Sequence, residues 1–191
     1  MALAETISRN FGSWRGFGRL ILSYPQALVL GHGLSSKPED VSRLVFVCHG
    51  NIGSSAFAEA VCRKRGINAA SFGVAAAAGE PADPVAQKIA RDDFDIDLIW
   101  HRASDTRFHA LPGDLLLAME VRQLNRIANL PALSIPPRAL LGSIIGVPHI
   151  HDPLGKPEDY YRICFNRIVR AVDRLETRFP GLKAKAAATP V

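Results

Sequence analysis

LVFVCHGNIGSSAFAEAV, residues 44–61, is the stretch on which the reading of the whole chain turns. Leu44, Val45, Phe46 and Val47 make the continuous apolar run of a strand buried on both faces. Cys48 ends the run, and Gly50 permits a tight loop. From Ser55 the chain turns to good helix formers, with Phe57 and Val61 four residues apart on one helical face. Strand, short loop and helix in this order aim several backbone N–H groups at one point, and the helix N-terminus adds positive potential there. Such a junction is an anion site. A cysteine at its lip is expected to have a lowered pKa, because the site prefers the thiolate.

Outward from this unit, strands and helices alternate. The first helix should stop near Gly66, and residues 69–74 form a second strand. Asp83 or Pro84 opens a second helix with Val85, Ile89 and Ala90 on its apolar face. Residues 114–119, DLLLAM, read as a central parallel strand and lead into a helix over 120–129 that Pro131 ends. Residues 139–147 hold the fourth strand. Residues 158–179 form the longest helix, with Tyr161, Cys164, Phe165, Ile168, Val172, Leu175 and Phe179 along one face. Arg162, Arg167, Arg170 and Arg174 fall on its solvated side, and Cys62 and Cys164 fall on apolar faces as core residues. This alternation predicts an α/β three-layer sandwich, a four-stranded parallel sheet covered by helices on both faces. The loop after the first strand then lies at the carboxyl edge, where open α/β sheets bind ligands.

The stretch resembles the phosphate-binding loop of the low-molecular-weight protein tyrosine phosphatases, whose pattern is an apolar strand, Cys-x-Gly-Asn-x-Cys-Arg-Ser-Pro, and a helix rich in Ala and Glu. Cys48, Gly50, Asn51, Ile52, Ser55, Ala58 and Glu59 fall in register with it. The resemblance implies the phosphotyrosine protein phosphatase I-like fold, with Cys48 as nucleophile and residues His49, Gly50, Asn51, Ile52, Gly53, Ser54 and Ser55 as the phosphate-binding loop. Asp152-Pro153, about a hundred residues on, is similar to the family's Asp-Pro loop and implies that Asp152 protonates the leaving group. His101 matches a histidine near the loop and is expected to hydrogen-bond Ser55 and brace it.

Several positions depart from that pattern. Gly53 replaces the second loop cysteine, Ala56 the proline, and Ser54 the arginine that grips two phosphate oxygens. A guanidinium fork binds them bidentately and a hydroxyl cannot. Losing one preorganised donor costs about 10²–10³ in rate, and a charged two-donor group at least that. Arg102 lies in the right region, but reach alone does not place a fork over a loop centre. Ala75 to Ala78 stand where the family carries a pocket aromatic, and Leu154 and Gly155 stand where it carries tyrosines after Asp-Pro. His149-x-His151 beside Asp152 has chelating spacing, but no further ligand cluster in the sequence joins it, so no metal and no cofactor are expected.

The chain has 191 residues and 48% apolar composition, enough for one domain with a sizeable core. Its boundaries are read as an extension and linker over 1–43, the phosphatase-like domain over 44–180 and a tail over 181–191. A net charge of +5, spread along the chain without a basic stripe interleaved with aromatics, excludes nucleic acid as the expected partner. The partner implied is a phosphorylated protein or a small phosphomonoester. Three cysteines, Cys48, Cys62 and Cys164, suit free thiols in a reducing, cytoplasmic setting. No run approaches the roughly 20 apolar residues of a membrane span, and no signal peptide is expected, since Pro25 breaks the apolar run that begins at Leu20. Ile7, Phe11, Trp14, Phe17 and Ile21 have helical spacing with Arg9, Arg15 and Arg19 among them, so residues 7–21 suit docking on the domain, a membrane surface or a partner.

Two classes of function follow. One is phosphomonoester (phosphotyrosine) hydrolysis through a phosphocysteine, weak or lost because of Ser54. The other is a pseudophosphatase that keeps the fold as a phosphate- or partner-binding regulator. The thiol-linked arsenate reductases of the same fold need resolving cysteines after the loop, and residues 80–90 have none.

Overall fold

The computed structural model describes Gly18, Ile21, Leu34 and residues 36–147 and 149–183. Apart from Gly18 and Ile21, the amphipathic segment 7–21 lies outside the described residues, as does most of the tail. Strands β1 (Arg43–Cys48), β2 (Ala69–Gly73), β3 (Asp114–Ala118) and β4 (Arg138–Leu140) alternate with helices α1 (Ser54–Lys64), α2 (Pro84–Phe94), α3 (Val121–Ala128) and α4 (Glu158–Arg178). The four strands form one sheet in the order β2-β1-β3-β4, and every pairing is parallel.

Strand alternation divides the core in two. Leu44, Phe46 and Cys48 of β1, with Leu115 and Leu117 of β3, face the larger cluster, built with the apolar faces of α1, α2 and α4. Val45, Val47, Leu116 and Ala118 face a smaller cluster closed by Val121, Leu124 and Ile127 of α3. The helices therefore cover both faces unevenly, three against one. Phe57 of α1 stacks on Phe165 of α4 with ring centroids 3.8 Å apart, and Phe94 of α2 meets both rings edge-on. Cys62 and Cys164 are fully buried here, as their helical faces suggest.

The fourth strand is shorter than the apolar run from 139 to 147. It pairs only over Arg138–Leu140, and the chain then tightens into a 3-10 turn, Leu141–Ile145, closed by Gly146 at φ +76°. Gly142 lies so close to the Val147 carbonyl that no side chain would fit there. No described helix is long and apolar enough to cross a membrane.

Candidate active site

β1 ends at Cys48, paired in register with Gly73 of β2, and the loop 49–53 carries the chain over the sheet edge into α1. Its bend is made by Asn51, at φ +56°, and not by Gly50, whose φ is negative. Gly73 is required for a different reason: a Cβ there would collide with the His49 carbonyl and the Asn51 N–H.

Asn51 is fully buried and holds the loop. Its Nδ2 donates to Ser55 Oγ (2.9 Å) and Ser71 Oγ (2.7 Å), and its Oδ1 accepts from the Ser104 N–H (2.8 Å). Ser71 passes the chain on to Glu59 of α1 at 2.6 Å. His101 braces the loop by a route other than the one its sequence position suggests. Its Nε2 lies 2.6 Å from the Asn51 carbonyl oxygen, whereas Ser55 is already engaged by Asn51 and by Cys48 Sγ at 2.9 Å. The side chains of Asn51 and Ser55 are thus buried and bonded to each other.

The upper surface of the loop lines a cavity of about 40 Å³ with Cys48, His49, Gly50, Ile52, Gly53 and Ser54 on one side. Asp152, Pro153 and Leu154 close it from the Asp-Pro loop, and Asp83 and Tyr161 complete the lining. Cys48 and Asp152 therefore meet in one cavity. Gly53 caps α1 with no side chain to bond the first-turn N–H groups, which leaves donors for an anion at that end.

The electrostatics run against the expected thiolate. Burial pushes the Cys48 thiol up, Ser55 and the Asn51 N–H pull it down, and the Asp152 charge adds to the upward push, so the net displacement is upward. Among the described residues no Lys or Arg lines the cavity, while two acidic side chains do. Arg102 instead points away, donating to the carbonyls of Ile99 and His101.

Sequence reasoning missed Asp83 and Tyr161 as part of this cavity. Asp83 caps α2 through Ala86 N–H and also accepts a 2.9 Å bond from the Tyr161 hydroxyl, 78 residues away. The helix-capping pattern at Asp83-Pro84 was visible, but nothing in it points to Tyr161. A second cluster lies at the end of β3, where Glu120 comes together with His149 and His151. Burial opposes the charge of Glu120, but His151, His149 and Arg122 outweigh it and hold its carboxyl down to about 2.

The chain matches the family model described as low molecular weight phosphotyrosine protein phosphatase over residues 43–185. A low molecular weight protein tyrosine phosphatase from T. tengcongensis is 28% identical, with a TM-score of 0.63, over 71% of this chain and 97% of that one. An arginine phosphatase from Geobacillus stearothermophilus (24% identity, TM-score 0.64, 78% and 98% covered) and a tyrosine phosphatase from Erwinia amylovora (24%, 0.62, 72% and 92%) share the fold. No curated protein sequence matches the chain.

Proposed function

The chain belongs to the low molecular weight phosphotyrosine protein phosphatase family, and from that premise we propose that it hydrolyses phosphomonoesters through Cys48 at a rate far below that of an arginine-bearing loop. Cys48 attacks phosphorus as the thiolate, and Asp152, as the acid, gives its proton to the departing oxygen. The Asp152 carboxylate then takes a proton from water, whose oxygen attacks the phosphocysteine and releases phosphate and thiolate. N–H groups of the loop and of the first turn of α1 hold the phosphoryl oxygens.

The observation that carries the low rate is the charge of the cavity, which among the described residues Cys48, Asp83 and Asp152 line without a Lys or Arg. A phosphoryl dianion entering it meets two acidic side chains and, among the described residues, no Lys or Arg. The raised Cys48 pKa reduces the thiolate as well. The same observation favours the second reading, a pseudophosphatase that binds phosphorylated partners without turnover. In either case the substrate or partner carries a phosphomonoester, and a cytoplasmic setting fits the free thiols.

Hydrolysis of a small aryl phosphate at mildly acidic pH tests this, with wild type beside Cys48→Ser and Ser54→Arg. The expected result is a slow rate lost in Cys48→Ser and raised by about 10²–10³ or more in Ser54→Arg, whose side chain replaces a cavity-lining hydroxyl with a two-donor cation. Equal background rates for wild type and Cys48→Ser would leave the pseudophosphatase. Wild-type turnover unchanged by Ser54→Arg would overturn the electrostatic explanation.

A further inference from the structure

Glu120, His149 and His151 lie outside the lining of the Cys48 cavity, and no step above uses them. Glu120 stands between the end of β3 and the start of α3. The two histidines flank Ile150, whose N–H donates to the Met119 carbonyl at 3.0 Å. The imidazole rings are nearly parallel, 19° apart with centroids separated by 5.5 Å. Glu120 Oε1 is 3.4 Å from His151 Nδ1 and 3.9 Å from His149 Nε2. One ligand atom from each residue lies within 4.8 Å of the other two.

These separations are too long for good hydrogen bonds, and none satisfies Glu120 Oε1 or His151 Nδ1. The shorter is close to the roughly 3.3 Å that separates two ligands each about 2.0–2.1 Å from a tetrahedral cation, and the longer exceeds it by about 0.6 Å. All three residues are buried, with exposures of 1% for Glu120, 6% for His149 and 9% for His151. Arg122 engages the other carboxylate oxygen, Oε2, and leaves Oε1 turned to the histidines. An outer partner of this kind fixes a ligating carboxylate.

We propose that Glu120, His149 and His151 bind a divalent transition-metal cation, zinc foremost, with water as the fourth ligand. Two imidazoles and one carboxylate suit zinc, whereas calcium and magnesium require about six or more oxygen ligands. His151 immediately precedes Asp152, so the cation pins the loop that carries Asp152 to the end of β3. This site is independent of the phosphatase reading and stands or falls by metal binding alone.

The test uses the full chain carrying Cys48→Ser, stripped with a chelator, so that the cavity thiol contributes no ligand. Calorimetry with Zn²⁺ should give one site, and Co²⁺ should give the intense visible bands of tetrahedral coordination with no thiolate charge-transfer band. His149→Ala and His151→Ala should each weaken Zn²⁺ binding by more than ~100-fold, beyond what loss of an outer partner costs. Zn²⁺ should also slow hydrogen exchange around residues 149–154 in the parent protein, a readout that requires no second substitution. No Zn²⁺ binding, a six-coordinate Co²⁺ spectrum, or affinity unchanged in a folded His151→Ala protein would overturn the proposal.

Discussion

At the scale of single residues, two side chains decide what the loop can do. Cys48 is buried beside Asp152, and its thiol is raised above its ordinary value, as are Cys62 and Cys164, both to about 12. A raised thiol is protonated at neutral pH, and its thiolate fraction grows about tenfold per pH unit until the pKa is passed. Alkylation by iodoacetamide, followed by mass spectrometry, should therefore be slower at Cys48 than at a free cysteine at pH 7 and should still be climbing above pH 9. A rate that levels off below pH 7 would mean that the loop stabilises the thiolate after all. Asn51 decides the loop's shape: it takes the left-handed backbone and its side chain joins Ser55, Ser71 and Ser104. Asn51→Ala strands those buried groups and places a Cβ residue without local hydrogen bonds at positive φ, so urea unfolding should report a loss of at least about 1–3 kcal/mol. A stability within a few tenths of a kilocalorie of wild type would show that the network is not holding the loop.

At the scale of elements, α1 and α4 are joined by the stacked pair Phe57 and Phe165, both fully buried. Phe165→Ala empties a site bounded by Phe57, Phe94 and Tyr161, which cannot collapse far because three helices meet there. The expected cost is about 3–5 kcal/mol in denaturant unfolding, with Phe165→Leu losing less. The elements themselves were legible because each carries its own period: four apolar residues before Cys48, a 3.6-residue face from Tyr161 to Phe179, and DLLLAM at 114–119. Cys48 and Asp152 were legible as a pair only through the resemblance, and the cavity does bring them together. What escaped is contact between elements. The Tyr161–Asp83 bond, the His101 bond to the Asn51 carbonyl and the meeting of Glu120 with His149 and His151 join residues 78, 50 and about 30 positions apart, and such contacts leave no periodic trace. The residue that bends the loop escaped for a different reason, since Asn can take the left-handed conformation expected of Gly50.

At the scale of the whole molecule, the parallel sheet has two unlike edges. The carboxyl edge carries the Cys48 loop and the Glu120 cluster. The opposite edge is tied by Arg43 and Asp114, register partners on β1 and β3. Arg43 Nε and Nη2 each donate to a different oxygen of the fully buried Asp114 carboxylate at 2.7 Å, and the guanidinium also lies 5.3 Å over the Phe108 ring. A bidentate pair with one partner buried is costly to break, because removing the cation leaves a buried carboxylate with, among the described residues, the Leu111 N–H and no counter-charge. Arg43→Met should therefore lose about 3–5 kcal/mol, less what water reaching the partly exposed arginine position recovers. Adding Asp114→Leu should restore much of that loss, since the pair contributes less than the charge it would leave behind. The two edges lie at opposite ends of β1, and the loop's own hydrogen bonds involve neither Arg43 nor Asp114. Urea unfolding should accordingly register the Arg43→Met loss, while the rate of Cys48 alkylation in the folded protein stays at the wild-type value. A changed alkylation rate well below the unfolding midpoint would mean that the edges are coupled through β1, and that the loop's geometry depends on the far end of the sheet.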